Sequence, residues 1–282
     1  MSRMTQRRRG RLPIPGVLRN AAGMTVLELL LAVLIGSLVV YAGLETFVTM
    51  NHQMIWQDQV TEVQQSGRAV QRAISEHIRM AGFGIPRLLA PVTGSDSELD
   101  TIVITHQDPD ACEAFLSENM TDPTDPIVVD GSDISCFEQN MWVYVHDPAV
   151  DSGEFFQVSN TYTGPATIET STSLQRAYAL GSGVYHIRQV MYYIDNSDPD
   201  HPIMMEKRYG EQAMPFADNI ESLDVTFVMQ NGDTVQVPFD PYLVTNVLID
   251  MEARSARVDE DIAEDYRRRN LSFNVSVRNL EF

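Results

Sequence analysis

The hydrophobic pattern of the chain begins with one long apolar run. Residues 24–44 contain a single charged side chain, Glu28. A helix rises about 1.5 Å per residue, so a helix of this length covers roughly 30 Å, the thickness of a bilayer's hydrocarbon. The run therefore predicts a membrane-crossing helix. Glu28 is unusual there, because a charge deep in a membrane helix costs about 3 kcal/mol or more and usually has a partner and a role.

An amphipathic pattern follows the apolar run. Between residues 56 and 81 apolar side chains recur at steps of three and four, which is the spacing of one helix face. The pattern predicts one continuous helix over about residues 25–80, and Gly82 is placed to cap its end. We expect the apolar face to pack on the domain that follows. Its members are Trp56, Val60, Val63, Gly67, Val70, Ile74, Ile78 and Ala81.

Beyond the long helix the period changes to that of strands. Apolar and polar residues alternate in 222–229 and 271–277, as in half-buried strands. Residues 195–202 indicate a hairpin connection, 111–119 are the best candidate for a short helix, and 258–270 indicate a loop or short helix. We expect an α+β protein whose mainly antiparallel β domain is built against the second half of the helix. Further strand candidates are 101–105, 141–146, 154–159, 184–194, 203–209 and 247–253.

Charge is distributed unevenly along the chain. Residues 1–23 hold six arginines and no acidic residue, whereas residues 82–282 hold 11 basic and 34 acidic residues, a formal charge of −23. Positive charges before an apolar helix keep the N terminus in the cytoplasm and send the rest of the chain outward. An acidic body of this kind repels nucleic-acid phosphates. We therefore expect a single-pass membrane protein that does not bind nucleic acid by charge attraction.

The sequence contains few signals for catalytic or metal-binding chemistry. The six histidines are dispersed and form neither HExxH nor a Cys/His zinc pattern, and no nucleophile elbow, phosphate loop or dinucleotide fingerprint is present. We predict no catalytic residue and no enzymatic activity. Two groups of carboxylates offer the oxygens that calcium takes, but neither fits EF-hand spacing, and a solvated acidic surface is the alternative. These groups are Asp108, Asp110, Asp122, Asp125, Asp130 and Asp133, and Asp195, Asp198, Asp200 and Glu206.

The two cysteines, Cys112 and Cys136, are 24 positions apart. In an exported domain a single pair suggests one disulfide bond, which would stabilise the domain by roughly 3 kcal/mol through loop closure. In a reducing compartment the two residues would instead be free thiols. Because the charge pattern indicates export, we expect the disulfide.

Two other export routes fit parts of the N-terminal segment. A secretory signal would be cleaved after its apolar region, and Val40-Tyr41-Ala42 offers a small-x-small site. The pair Arg8-Arg9 is similar to the start of a twin-arginine signal, but no matching motif follows it. The length of the basic head and the presence of Glu28 both disfavour a secretory signal.

Residues 23–30, Gly-Met-Thr-Val-Leu-Glu-Leu-Leu, resemble the cleavage and methylation motif of type IV prepilins and type II secretion pseudopilins. Met24 stands where that family more often has phenylalanine. The resemblance implies that prepilin peptidase cuts between Gly23 and Met24 and methylates the new amine of Met24. It further implies that Glu28 pairs with this amine on a neighbouring subunit and sets the register of a filament. Two opposite charges buried together offset much of the cost that each would carry alone.

Four further stretches resemble the PilW family of minor pilins, and resemble pseudopilin J of type II secretion less well. The resemblance implies a type IV pilin-like α+β fold. Its parts are a removed leader (1–23), a transmembrane and filament-core helix (24–44), the amphipathic half of the helix (45–84) and an exported β-rich domain (85–282). The four stretches are 71–84, 181–194, 216–227 and 275–279.

The resemblance also implies a function, partners and a location. A minor pilin helps to prime assembly of a type IV pilus and acts in adhesion, twitching motility or DNA uptake. Its partners are other major and minor pilins, the prepilin peptidase, the inner-membrane assembly platform and the membrane itself. It resides in the inner membrane with a cytoplasmic N terminus, and then in the pilus, periplasm or cell surface. No cofactor is expected, with calcium as the alternative.

Two alternative functions stay open at this point. The nearest is a minor pseudopilin J of a type II secretion system, which shares the N-terminal motif. The second is a membrane-anchored binding or adhesin domain unrelated to pili, which would need the anchor but not the processing at Gly23 and Met24. The state of the mature N terminus distinguishes the second alternative from the first.

Overall fold

The computed structural model describes residues 25–95, 100–131, 134–259 and 265–279. In these residues one long helix, α1 (Val26–Met80), precedes a mainly antiparallel β domain, which confirms the expected α+β layout. The helix begins and ends close to the predicted bounds. The chain divides into two units, the first ending at Trp56 and the second beginning at Gln57, so α1 contributes residues to both.

Fifteen strands in the described residues form three antiparallel sheets. The strands are β1 (Val92–Ser95), β2 (Thr101–Gln107), β3 (Glu113–Phe115), β4 (Ile127–Val128), β5 (Trp142–Asp147), β6 (Ser152–Thr163), β7 (Ala166–Thr170), β8 (Gly183–Tyr185), β9 (Ile187–Asp195), β10 (Ile203–Arg208), β11 (Met214–Asp218), β12 (Ile220–Met229), β13 (Thr234–Val235), β14 (Val244–Asp259) and β15 (Asp265–Ser276). Sheet 1 has the order β1-β2-β9-β10-β11, sheet 2 has β13-β12-β14-β15, and sheet 3 has β3-β8-β5-β6-β7-β4. Two short 3₁₀ helices are Ile134–Cys136 and Pro241–Leu243.

Residues 108–186 form a lobe inserted between two paired strands. β2 ends at Gln107 and β9 begins at Ile187, and these two residues are partners in the antiparallel register of sheet 1. Every strand of sheet 3 lies in the intervening segment, which has a hydrophobic core of its own. We call residues 108–186 the insert lobe. The rest of the β domain, sheets 1 and 2 with the second half of α1, is called the base.

The core of the base lies between α1 and the two sheets. Val70, Ile74 and Ile78 are fully buried and belong to one hydrophobic cluster with residues of β2, β9, β12 and β14. Gly67 lies against the side chain of Leu271 in β15, which occupies the space a Cβ would need. The predicted apolar face of the helix is therefore confirmed as a packing surface.

The end of α1 is tied to the neighbouring strand. Gly82 has a φ of +83°, in the left-handed region that glycine adopts without strain, as expected for a helix cap. Its amide donates a hydrogen bond of 3.0 Å to the carbonyl of Thr105, and the amide of Gln107 donates one of 2.8 Å to the carbonyl of Phe83. These two bonds fix the chain reversal after the helix to β2.

The insert lobe is closed by the expected disulfide. Cys112 and Cys136 are bonded, with their Cα atoms 5.8 Å apart, and Cys112 is part of the lobe's hydrophobic cluster. Tyr178 is almost fully buried in the same cluster, and its hydroxyl donates a hydrogen bond of 3.0 Å to Glu154. The lobe therefore combines a small apolar core with a covalent bond, as small exported units often do.

The structure contains every predicted strand and corrects two other predictions. Ile203 pairs with Asp195, so the hairpin connection over 195–202 is confirmed. The short helix predicted over 111–119 is wrong, because this segment contains β3, which pairs with β8. The prediction of a loop or short helix over 258–270 is wrong for 258–259, which end β14, and for 265–270, which lie in β15. In both segments strand pairing across the fold overrides local helix preference.

Six strands were not predicted from the sequence pattern. They are β1, β3, β4, β7, β11 and β13, and each has five residues or fewer. Strands this short show too few alternations to be distinguished from turns. They form because a neighbouring strand, longer in every case except that of β3 with β8, supplies their backbone hydrogen bonds.

Replacement of Ile74 by alanine is expected to destabilise the base. The side chain is fully buried, so the change leaves a cavity and removes apolar contacts, at a cost of about 2–5 kcal/mol. Urea unfolding of the full-length chain in detergent, followed by circular dichroism, measures the loss. Arg72→Ala on the exposed face is the control and should shift the midpoint little. Equal shifts for the two variants would contradict the described packing.

Candidate functional site

The first half of α1 is an uncovered apolar surface. Every side chain from Thr25 to Ile55 is exposed, including Leu27 at 70% and Phe47 at 67%. A contiguous apolar surface of this size marks a site of contact with lipid or with another protein, because soluble monomers rarely expose one. By length and composition the helix is able to cross a membrane. It is therefore a candidate membrane anchor.

Thr25 caps the first turn of this helix. Its Oγ1 accepts a hydrogen bond of 3.3 Å from the amide of Glu28, and its carbonyl accepts one of 3.1 Å from the amide of Leu29. A threonine cap with glutamate three residues later is the capping-box sequence. Glu28 also lies in the first turn, at the positive end of the helix dipole. Glu28 thus has a local role in starting the helix, which the sequence interpretation did not include.

The carboxylate of Glu28 is exposed on the apolar helix. Among the described residues no cation pairs with it, so it presents its oxygens to whatever covers this face. Gly23 and Met24, the predicted cleavage and methylation residues, lie outside the described residues. The carboxylate of Glu28 is able to accept hydrogen bonds from a cation on a partner molecule. Its surroundings become apolar when a partner covers the helix.

The second half of α1 meets sheet 1 through a histidine seam, formed by His77, His106, Tyr192 and Glu206. The rings of His77 and His106 have centroids 5.4 Å apart, and Tyr192 stacks on His77 at 5.9 Å. The hydroxyl of Tyr192 lies 3.0 Å from Nδ1 of His77 and donates to Glu206 at 3.3 Å. The seam therefore joins α1 to β2, β9 and β10.

His106 is the least satisfied member of the seam. The side chain is 1% exposed, and neither of its ring nitrogens has a hydrogen-bond partner among the described residues. The nearest carboxylate oxygen, on Asp108, is 3.6 Å from Nδ1, which is longer than a hydrogen bond. A buried polar group without a partner carries a desolvation cost, and this cost rises when the group is charged.

Burial favours the neutral form of both histidines of the seam. Desolvation lowers the pKa of His77, and the charges of His106 and Arg188 lower it further, while Glu206 and Glu76 oppose them. Desolvation also lowers the pKa of His106, against the raising effects of the nearby backbone at Gln107 and of the charge of Asp108. Arg188 lowers the pKa of His106 as well. The pKa of Tyr192 is raised by burial and by Glu206.

The acidic residues considered for calcium are mostly engaged in local bonds. The carboxylate of Asp125 accepts from Thr121, and that of Asp122 accepts from Thr124, and these bonds lower the pKa of both groups. Asp108 forms an ion pair of 2.6 Å with Arg188. Across the described segments no three ligand-type side chains converge on a common point, and Asp133 lies outside those segments.

Comparison of the chain with protein-family models gives no match, and comparison with curated proteins gives none either. The fold and the site define the class as a protein with an apolar N-terminal helix, a candidate membrane anchor, and a mainly antiparallel β domain. A further assignment depends on the residues of the helix, above all on Glu28.

Acidification is expected to weaken the base. The pKa values of His77 and His106 lie below 6.5 in the folded chain and near 6.5 in the unfolded chain. As the pH falls from 6.5 towards the folded values, the unfolded state binds more protons, so the free energy of unfolding decreases. We expect the melting temperature to fall by a few degrees between about pH 7 and pH 5, since about 1 kcal/mol corresponds to about 2–4 °C in a domain of this size.

Histidine variants identify the source of this pH dependence. His106→Gln should flatten the profile of melting temperature against pH between about pH 7 and pH 5, because glutamine does not titrate. His52→Gln, at an exposed position of α1, is the matched control and should leave the profile as in the parent chain. A profile that His106→Gln leaves unchanged would show that His106 does not take up the protons.

Proposed function

We propose that this chain is a minor pilin of a type IV pilus, cut between Gly23 and Met24 and held in the inner membrane by α1 before assembly. The observation that supports the proposal is Glu28. Its carboxylate lies in the first turn of a helix whose side chains are uncovered from Thr25 to Ile55. The resemblance of residues 23–30 to the prepilin motif implies the partner of this carboxylate, which is the amine of Met24 on a neighbouring subunit.

The proposed role of Glu28 follows from the cost of burying a charge. When the apolar half of α1 leaves the bilayer, the corresponding helices of other subunits must cover it, because water cannot. A lone carboxylate is then strongly disfavoured, whereas one paired with the amine of a neighbouring Met24 is not. A subunit displaced along the filament loses this pair, so the pair fixes the register as well as reducing the cost.

The second half of α1 links the exported β domain to the filament-forming part of the helix. Val70, Ile74 and Ile78 hold the base on the helix, so each subunit added to the filament carries a β domain with it. In the proposed pilus this domain contacts other minor pilins and helps to prime assembly. Adhesion, twitching motility and DNA uptake are the functions that such a filament serves, and the assembly platform and the prepilin peptidase are the other partners.

Substitution of Glu28 by glutamine tests the proposal. The side chain keeps its size but loses its charge, so it no longer forms an ion pair with the amine. We expect processing and membrane insertion to continue, and the amount of the chain in filaments sheared from cells to fall by about tenfold or more, as for loss of about 1.4 kcal/mol or more of assembly free energy. Immunoblots of sheared filaments and of membranes measure both pools.

Glu45→Gln is the matched control, since Glu45 is also an exposed acid of the stretch from Thr25 to Ile55, whose side chains are uncovered. It should assemble as the parent chain does. Equal incorporation of the Glu28 and Glu45 variants would contradict the proposed pairing. Deletion of the gene distinguishes the two pilin-like functions, because loss of secreted enzymes with intact filaments would instead indicate pseudopilin J.

The mass of the mature N terminus is a second test. If the chain is a prepilin, the N-terminal peptide of the protein from membranes begins at Met24 and carries one methyl group. Mass spectrometry of that peptide reads both features. A Gly23→Val variant is expected to keep its leader, because it removes the glycine after which the cut falls in the prepilin motif. A mature start at Gly43, or a leader retained by the parent chain, would overturn the proposal and favour a conventional anchor or signal.

A further inference from the structure

A cleft lies where the insert lobe meets the base. Its volume is about 420 Å³, within the range of roughly 300–1,000 Å³ for small-ligand sites. The insert lobe contributes residues 138–142, Gln157 and His186, and the base contributes residues 187–189 and 208–211. Junctions between lobes are preferred positions for ligand sites, because two walls converge there. No residue of the cleft lining belongs to the histidine seam, although Arg208 of the cleft pairs with Glu206 of the seam.

One wall of the cleft is aromatic. Tyr209 stacks on Phe155 with ring centroids 3.9 Å apart, and Trp142 meets Tyr209 edge-on at 5.4 Å. Tyr209 is 40% exposed, so part of the ring is open to a ligand. Gly210 has a φ of +73°, and the indole of Trp142 occupies the place where a Cβ would lie. Glycine thus allows the turn to bring the two rings together.

The other walls are rich in side-chain amides. Each amide donates and accepts hydrogen bonds, which suits ligand groups that do both. The two guanidinium groups of the cleft have carboxylate partners, Arg188 with Asp108 at 2.6 Å and Arg208 with Glu206 at 3.1 Å. Positive charge in the cleft is therefore already balanced. The amides belong to Gln139, Asn140, Gln157 and Gln189.

The walls are held in position before any ligand binds. Cys136 precedes the loop over residues 138–141, and its disulfide partner Cys112 accepts a hydrogen bond of 2.9 Å from the amide of His186 on the facing wall. Asn140 has a φ of +69°, uncommon for a residue other than glycine. Its carbonyl accepts a bond of 3.1 Å from Gln157. Such strain persists where the surroundings enforce it, and it concentrates at binding sites.

From these features we infer that the cleft binds a short neutral oligosaccharide. A sugar ring offers an apolar face of C–H groups, which packs on an aromatic ring, and a rim of hydroxyl groups, which both donate and accept as the amides do. An anionic ligand is disfavoured because both arginines are paired and the chain carries a net charge of −19. The site does not depend on filament assembly.

A peptide strand fits the cleft less well than a sugar does. Peptides that add to a sheet need a free strand edge for their backbone hydrogen bonds. The strands that line the cleft are β5, β6, β9 and β10, and each has a neighbouring strand on both sides in its sheet. Pairing with β8 begins at Tyr144 and pairing with β11 ends at Glu206, so the parts of β5 and β10 at the cleft that lack a second partner, 142–143 and 207–208, are too short for an added strand. A ligand that binds through side chains and one aromatic face is therefore favoured over one that binds through its backbone.

Titration of the full-length chain with neutral trisaccharides tests this inference. A Trp56→Phe background leaves Trp142 as the only tryptophan, so its fluorescence reports on the cleft. The detergent must lack a sugar headgroup. With maltotriose, cellotriose and triacetylchitotriose as probes, we expect at least one saturable change with a Kd of about 1 mM or below. Tyr209→Ala should raise this Kd by about tenfold or more, because it removes the exposed ring.

Two further variants keep the test decisive. Tyr162→Ala removes another exposed ring of the insert lobe, one that does not line the cleft, and should bind as the parent does. If Tyr209→Ala does not fold, the double variant Gln139→Ala and Glu211→Ala removes two exposed rim side chains without touching either core, and should also weaken binding. No saturable change with any of the three sugars would overturn the inference. So would a Kd unaltered in the cleft variants, or tighter binding of an extended hexapeptide.

Discussion

The contact between the apolar face of α1 and the two sheets of the base is the interaction on which the rest of the structure depends. Val70, Ile74 and Ile78 are buried between sheets 1 and 2, so one helix face completes a core that neither sheet closes alone. The hydrogen bonds from Gly82 and to Phe83 then fix the chain reversal that leads into β2. Sheet 1 is thereby held to the helix by apolar packing, by backbone bonds and by the histidine seam.

The same helix changes its surroundings along its length. Up to Ile55 its side chains are uncovered, whereas from Gly67 onward one face is buried in protein. The charge of the sequence changes in parallel, from a basic head through a nearly neutral helix to an acidic domain. The uncovered part of the helix and the part packed on the base are separated by about three turns of mixed character, residues 56–66.

Patterns of neighbouring residues in the sequence predicted the features that depend on neighbouring residues. The bounds of α1 and the longer strands follow from side-chain periods, and Glu28 was identified because it is the one charge in an apolar run. The cap at Thr25 was also readable, since threonine followed three residues later by glutamate is a capping signal. What the patterns could not supply is proximity between distant residues. His77 with His106, and Trp142 with Tyr209, are brought together by sheet pairing that no periodicity records.

The pairing of Gln107 with Ile187 has a consequence for how such a protein can change over time. Because the two strands that bound the insert lobe meet at adjacent partners, the lobe is an excursion from the tip of a hairpin that a short turn could close. Its hydrophobic core and its disulfide are its own. Selection could therefore reshape, enlarge or exchange this module while the helix and the base stay the same.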